Sequence, residues 1–176
     1  MFEFLFGRKQ NETTQPEDTV TQKKPGSPGT GIDYDPNLIA QLKSDHAQLI
    51  SLFTKIVSTT SQRNDQLLIK QLNEFGQKLR GHLLKENVRF YVYLKNSLQS
   101  DENSLRIMQD FSHEMQLIGR AVTDFLHKYT NVPQWDDAQW AVFERDLNSV
   151  GNVLTQRIES EEGTLYTLYL PPDSYR

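Results

Sequence analysis

The stretch FGQKLRGHLLKENVRFY, residues 75–91, decides how the rest of the chain is read. Phe75, Leu79, His82, Glu86 and Phe90 follow one another at intervals of three or four, so they share one face of an α-helix. Extended through Leu72 and Tyr93, the stripe predicts a helix from about Asp65 to Leu98. Packing alone does not explain His82 and Glu86 one turn apart on that inward face. Glutamate is almost never fully buried without a partner, and an unpaired buried carboxylate costs several kcal/mol.

The pattern recurs. VGNVLTQRIESEEGTLY, residues 150–166, aligns without a gap, so that Gly76 meets Gly151, Leu79 meets Leu154, Glu86 meets Glu161 and Tyr91 meets Tyr166. His82, however, meets Arg157. A helix before each copy completes the set. The first runs from the Asp35-Pro36 cap to about Val57, with Leu38, Leu42, Leu49 and Phe53 inward. The third runs from near Asp101 or Ser104 to near Tyr129, with Ile107, Phe111, Leu117, Ala121 and Phe125 inward, and Asn131-Val132-Pro133 breaks it. The fourth starts near Trp135 and carries Leu147, Val150, Leu154, Arg157, Glu161, Leu165 and Leu168 on one stripe until Pro171-Pro172 stops it.

No stretch alternates with period two, and the joining loops are short. The expected fold is all-α: an up-down-up-down antiparallel four-helix bundle over residues 35–176, its first two helices repeated as its last two. Residues 1–34 read as a flexible tail or linker, because 10–33 are rich in Thr, Gln, Pro, Gly and charge. At the far end of that tail, MFEFLF is either a frayed terminus or a short docking peptide.

The chain has 176 residues, a formal net charge of −4 and no cysteine. Mild acidity argues against a nucleic-acid partner. Without cysteine there are no disulfides, iron–sulfur clusters, thiolate zinc sites or cysteine nucleophiles, so any metal must be held by His, Asp and Glu. No apolar run approaches a membrane span, and the opening run is too short for a secretory signal, so a soluble cytoplasmic protein is expected. No phosphate-cradling glycine loop or serine elbow is present.

Two more histidines join the inward set. His46 lies between Leu42 and Leu49, and His113 lies four residues before Leu117 on the edge of its stripe. His127 stands 14 residues beyond His113, about 21 Å along a helix, and reads as a surface residue favoured by the helix C-terminus. Trp135 and Trp140 read as packing beneath the loop before the fourth helix, and the tyrosines past each acid as one closed end of the bundle or a partner surface.

One His on the first helix, His-x-x-x-Glu on the second, one His on the third and an x-x-x-Glu copy on the fourth resemble the hemerythrin-like, or HHE, cation-binding domain. The resemblance spans residues 36–170 and implies a non-haem iron site of one or two ions on His46, His82, Glu86, His113 and Glu161. It also implies a binder or sensor of oxygen, nitric oxide or redox state, and not an enzyme. Two positions depart from the family pattern. Leu117 stands where hemerythrins proper carry a further histidine, and Arg157 stands where the last histidine belongs. A guanidinium stays protonated and offers no lone pair, so Arg157 is no ligand and the site is incomplete or holds one metal.

A second resemblance points elsewhere. Leu147, Val150, Gly151, Leu154, Arg157, Glu161 and the acid at 162, with Phe75, Leu79, Tyr91 and Leu94, are similar to helices of the regulator of sigma D family. That likeness implies a sigma-factor-binding bundle in which Arg157 neutralises buried Glu86 and Glu161 as a structural counter-ion.

Overall fold

The computed structural model describes residues 31–175. Helix α1 spans Leu38–Thr60, α2 Asp65–Lys85, α3 Val92–Ser97, α4 Glu102–Thr130 and α5 Asp137–Gly163. A π-helical segment, Glu86–Tyr91, joins α2 to α3, so the second long helix runs through to Ser97 with one widened turn inside it. Short links at 61–64, 98–101 and 131–136 make successive long helices antiparallel. Helix α1 packs on α2 and α5, and α4 packs on the same two, which closes the four-helix bundle.

Side-chain caps set the starts of three helices. Asn64, Asp101 and Asp136 accept hydrogen bonds from the backbone N–H groups of Leu67, Ser104 and Gln139. The expected Asp35 cap is displaced. Its carboxylate accepts from Asn37 N at 2.9 Å and its carbonyl from Leu38 N at 3.0 Å, and α1 proper begins at Leu38. The fourth helix is shorter than its apolar stripe implied. It ends at Gly163, and Leu165–Leu168 form a separate 3₁₀ turn.

The interior is layered. One apolar core, at the end bearing the 61–64 link, is built on Leu52, Ile56, Leu72, Phe75, Phe125, Tyr129, Phe143 and Leu147. Trp135 and Trp140 pack there with ring centroids 4.6 Å apart, beneath the link that precedes α5. The opposite end is a second core of Leu42, Phe90, Tyr93, Leu94, Leu165 and Tyr169. Ile32 and Tyr34 pack against it, Tyr34 stacked on Tyr169 at 5.1 Å, so the end of the expected linker belongs to the bundle. The remainder of that linker, with MFEFLF, lies outside the described residues. Between the cores lies a buried polar layer of His46, His82, Glu86, Arg157 and Glu161.

The inward face of α4 is rotated from the expected one. Met108, Met115, Val122 and Tyr129, seven residues apart, are buried, whereas Leu117 is 52% exposed and Ala121 is exposed. Both readings follow an apolar stripe. The one centred on the heptad of Met108 and Met115 faces the bundle, and His113, two residues before Met115, is turned out with the exposed face.

Candidate metal centre

Four of the predicted side chains meet in the polar layer. His46 enters from α1 and His82 from α2, and their Nε2 atoms approach to 3.2 Å. Glu161 Oε2 on α5 lies 3.3 Å from His46 Nε2, and Glu86 Oε2 lies 3.7 Å from His82 Nε2. His46, His82 and Glu161 each present a ligand atom, all within 4.8 Å of one another. His113 takes no part, a correction that follows from the phase of α4. The helix contributes Met115 to the apolar wall beside the site, and Glu114 with the Phe111 carbonyl and ring to Arg157.

Each histidine turns its other nitrogen toward a carboxylate. His46 Nδ1 lies 2.9 Å from Glu162 Oε1, and His82 Nδ1 lies 3.7 Å from Asp45 Oδ2. A carboxylate opposite Nδ1 favours the Nδ1–H tautomer and leaves the Nε2 lone pair free, the arrangement usual for metal-bound histidine. Two lone pairs then face one another across the layer and need a proton or a cation between them.

The donor set fits a cation in this respect and in three others. Ligands about 2.1 Å from one ion, at tetrahedral or octahedral angles, lie roughly 3.0–3.4 Å apart, which brackets the gap between the imidazoles. Glu86 Oε2, buried and facing the layer, has no hydrogen-bond partner. Buried polar atoms are rarely left so. Glu86 and Glu161 supply hard oxygen donors, and neutral imidazole with carboxylate suits iron better than a thiolate-seeking metal.

Arg157 fills the other half of the layer. Its Nε donates to Glu161 Oε1 at 2.6 Å, Nη1 to Glu114 Oε2 at 2.9 Å, and Nη2 to Tyr91 Oη at 3.1 Å and to the Phe111 carbonyl at 2.9 Å. The Phe111 ring lies beneath it, 4.7 Å from Cζ. The guanidinium therefore occupies the outer oxygen of Glu161, the one a second ion would need.

Charge in the layer is uneven as a result. Burial works against ionising Glu161, but His46 and Arg157 outweigh it and hold this carboxyl below its usual range. Burial and then the Glu161 charge push Glu86 up to about 8, so it carries its proton at neutral pH. Burial and the neighbouring His46 lower His82 to about 4. Burial alone would lower His46 too, yet its contacts with Glu161 and Glu162 hold it above the ordinary value.

Two tyrosines belong to the layer, although their spacing pointed to the bundle end. Tyr166 Oη donates to Glu86 Oε1 at 2.8 Å and lies 3.3 Å from His46 Nε2, while Tyr91 accepts from Arg157. Burial raises both phenols, so both keep their protons. A tyrosine five residues past an inward acid should sit about 140° round an α-helix from it. The π segment after Glu86 and the end of α5 before Tyr166 both break that phase. Their signal in the sequence was the shared position in the two aligned copies. For Glu114, Glu162 and Asp45 the only signal was an acid beside a predicted inward residue.

A family model described as the hemerythrin HHE cation-binding domain matches residues 37–169, most of the chain. No curated protein and no solved structure shows a significant match. The resemblance to the regulator of sigma D family finds no support. The chain belongs to the hemerythrin HHE cation-binding domain family.

Proposed function

We propose that this family member holds one iron ion on His46 Nε2, His82 Nε2 and Glu161 Oε2, with Glu86 Oε2 as a further donor, and uses it to bind or sense a small diatomic such as oxygen or nitric oxide. The observation that carries this reading is the convergence of two imidazole Nε2 atoms to 3.2 Å, each with its Nδ1 turned to a carboxylate. The ion supplies open coordination positions for the diatomic. The protein's own residues hold the imidazoles in one tautomer, flank the site with two apolar cores and place the Tyr166 hydroxyl beside it.

Arg157 supports a count of one ion. It is 4% exposed and occupies Glu161 Oε1, so no carboxylate is free to bridge two metals from α5. With only two carboxylates among the donors, the site favours binding over oxidative turnover, and a non-enzymatic role in the cytoplasm is the reading adopted.

The test is metal analysis after anaerobic loading with ferrous iron. One ion per chain is expected, with Arg157→His approaching two. Absence of bound iron at millimolar ferrous concentration would overturn the proposal, as would unchanged uptake in a His82→Ala variant.

A further inference from the structure

The polar layer is not sealed on every side. Between α1 and α5 an apolar cleft of about 180 Å³ leads from solvent to the layer, with Phe53, Phe75, Leu79, Met115 and Leu154 as walls and His46, His82 and Glu161 as its floor. Ile50 at its mouth is 51% exposed. Gly151 helps to shape it. A Cβ there would stand 2.8 Å from the Phe53 ring, so only glycine lets that ring lie against α5 as it does.

The volume is several times the roughly 30 Å³ share of one water, and an apolar cavity of about 150 Å³ is enough for a benzene ring. A diatomic leaves most of it empty. Phe53 and Phe75 meet edge to face at 6.0 Å, which leaves ring faces and edges to receive another ring. The floor offers no free cation to an anionic guest, since Arg157 is paired with Glu161 and Glu114, and His46 with Glu161 and Glu162. It does offer polar atoms to one end of a guest.

We infer that this cleft is a binding site for a small uncharged aromatic molecule, its ring packed against the Phe53 and Phe75 pair and one hydroxyl or comparable polar group on the His46/His82 floor. The ring site is independent of metal; only the placement of the polar end beside an ion rests on the proposed function. A guest there closes the way from solvent to the floor, so its presence controls access to the ion.

The experiment titrates phenol, benzene and benzoate into the metal-free full chain, following the methyl signals of Met115, Leu79 and Leu154 by NMR. Saturable shifts are expected for phenol and benzene, with benzoate at least tenfold weaker. Leu154→Trp and Ile50→Trp, which fill the cleft from its open side, are expected to weaken phenol at least tenfold. The equilibrium iron stoichiometry of the same variants, measured separately after prolonged loading, is expected to match the parent while loading is slower, so a failed metal reading and a failed cleft reading give different results. No saturable shift with phenol or benzene, benzoate binding as tightly as phenol, or phenol binding unchanged in both tryptophan variants would each overturn the inference.

Discussion

The second long helix and α5 carry the same device and solve it in opposite ways. In the first copy, His82 is neutral and Glu86 keeps its proton, so a buried acid and imidazole face the layer uncharged. In the second, Arg157 and Glu161 form an ion pair at 2.6 Å. Each copy's tyrosine reaches the other's polar residues, Tyr91 to Arg157 and Tyr166 to Glu86. The comparison teaches that the neighbours, more than burial, decide which of two equivalent carboxylates ionises. Burial alone would treat them alike; His46 and then the Arg157 guanidinium, both on Glu161, do not.

Breaking the charged copy should cost most. Arg157→Leu leaves Glu161 without its partner in a buried layer, and a loss of about 3–5 kcal/mol is expected in urea denaturation of the metal-free protein. Equal stability of variant and parent would show that the pair is dispensable.

The neutral copy makes a statement about pH. Glu86 binds a proton more tightly folded than unfolded, so it lowers stability as pH rises from its ordinary 4.5 toward about 8. His82 acts oppositely between about 4 and 6.5, since the unfolded chain then holds the proton. Those two effects offset each other in mild acid. Above pH 6.5 Glu86 is left uncompensated, and the raised His46 adds to the same decline as it loses its proton. The metal-free protein is expected to lose about 2 kcal/mol between pH 6.5 and 8. Glu86→Gln should flatten most of that slope, and an unchanged slope in the variant would place the proton elsewhere.

The tyrosines sharpen the comparison at smaller cost. Tyr166→Phe and Tyr91→Phe should each lose about 1 kcal/mol. Only Tyr166→Phe is expected to alter iron affinity, since Tyr166 alone lies beside His46 Nε2. Equal effects of the two on iron would contradict the assignment. Smallest is a change outside both copies. Asp146, held down to about 2 by Lys128 and Tyr129, contributes stability that is present above its ordinary 3.8 and lost as pH falls toward 2. Asp146→Asn should shift the acid unfolding midpoint slightly and leave iron uptake untouched.

Much of this was legible in the residues. The period of Phe75, Leu79, His82 and Glu86 marks both the helix and the odd polar pair within it, because burial leaves a carboxylate few excuses. The gapless second copy places Arg157 and Glu161 opposite. Helix α4 was not legible in the same way. It carries apolar residues on adjacent stripes, and Ile107, Leu117 and Ala121 compete with Met108, Met115 and Val122 for the inward face. Propensity and period are nearly equal for the two; only packing against α2 and α5 chooses, and it turns His113 out. The break of helical phase after Glu86 was equally hidden, since no proline or glycine marks the π segment at Glu86–Tyr91, whereas Gly163 stands where α5 ends.

The short turn after α5 has a consequence for how occupancy is reported. Tyr166 belongs to the 3₁₀ turn Leu165–Leu168, and the strand of chain beyond it is tied down by Tyr93 Oη on the Leu170 carbonyl and by Tyr175 Oη donating to the Leu168 carbonyl. The C-terminal strap thus holds at one end a hydroxyl that touches the floor of the site and at the other a solvent-facing tail. Loading of the centre is expected to tighten that anchor, so that amide hydrogens of residues 165–170 exchange more slowly with metal than without it. The strap would then carry a readable signal of whether the centre is loaded.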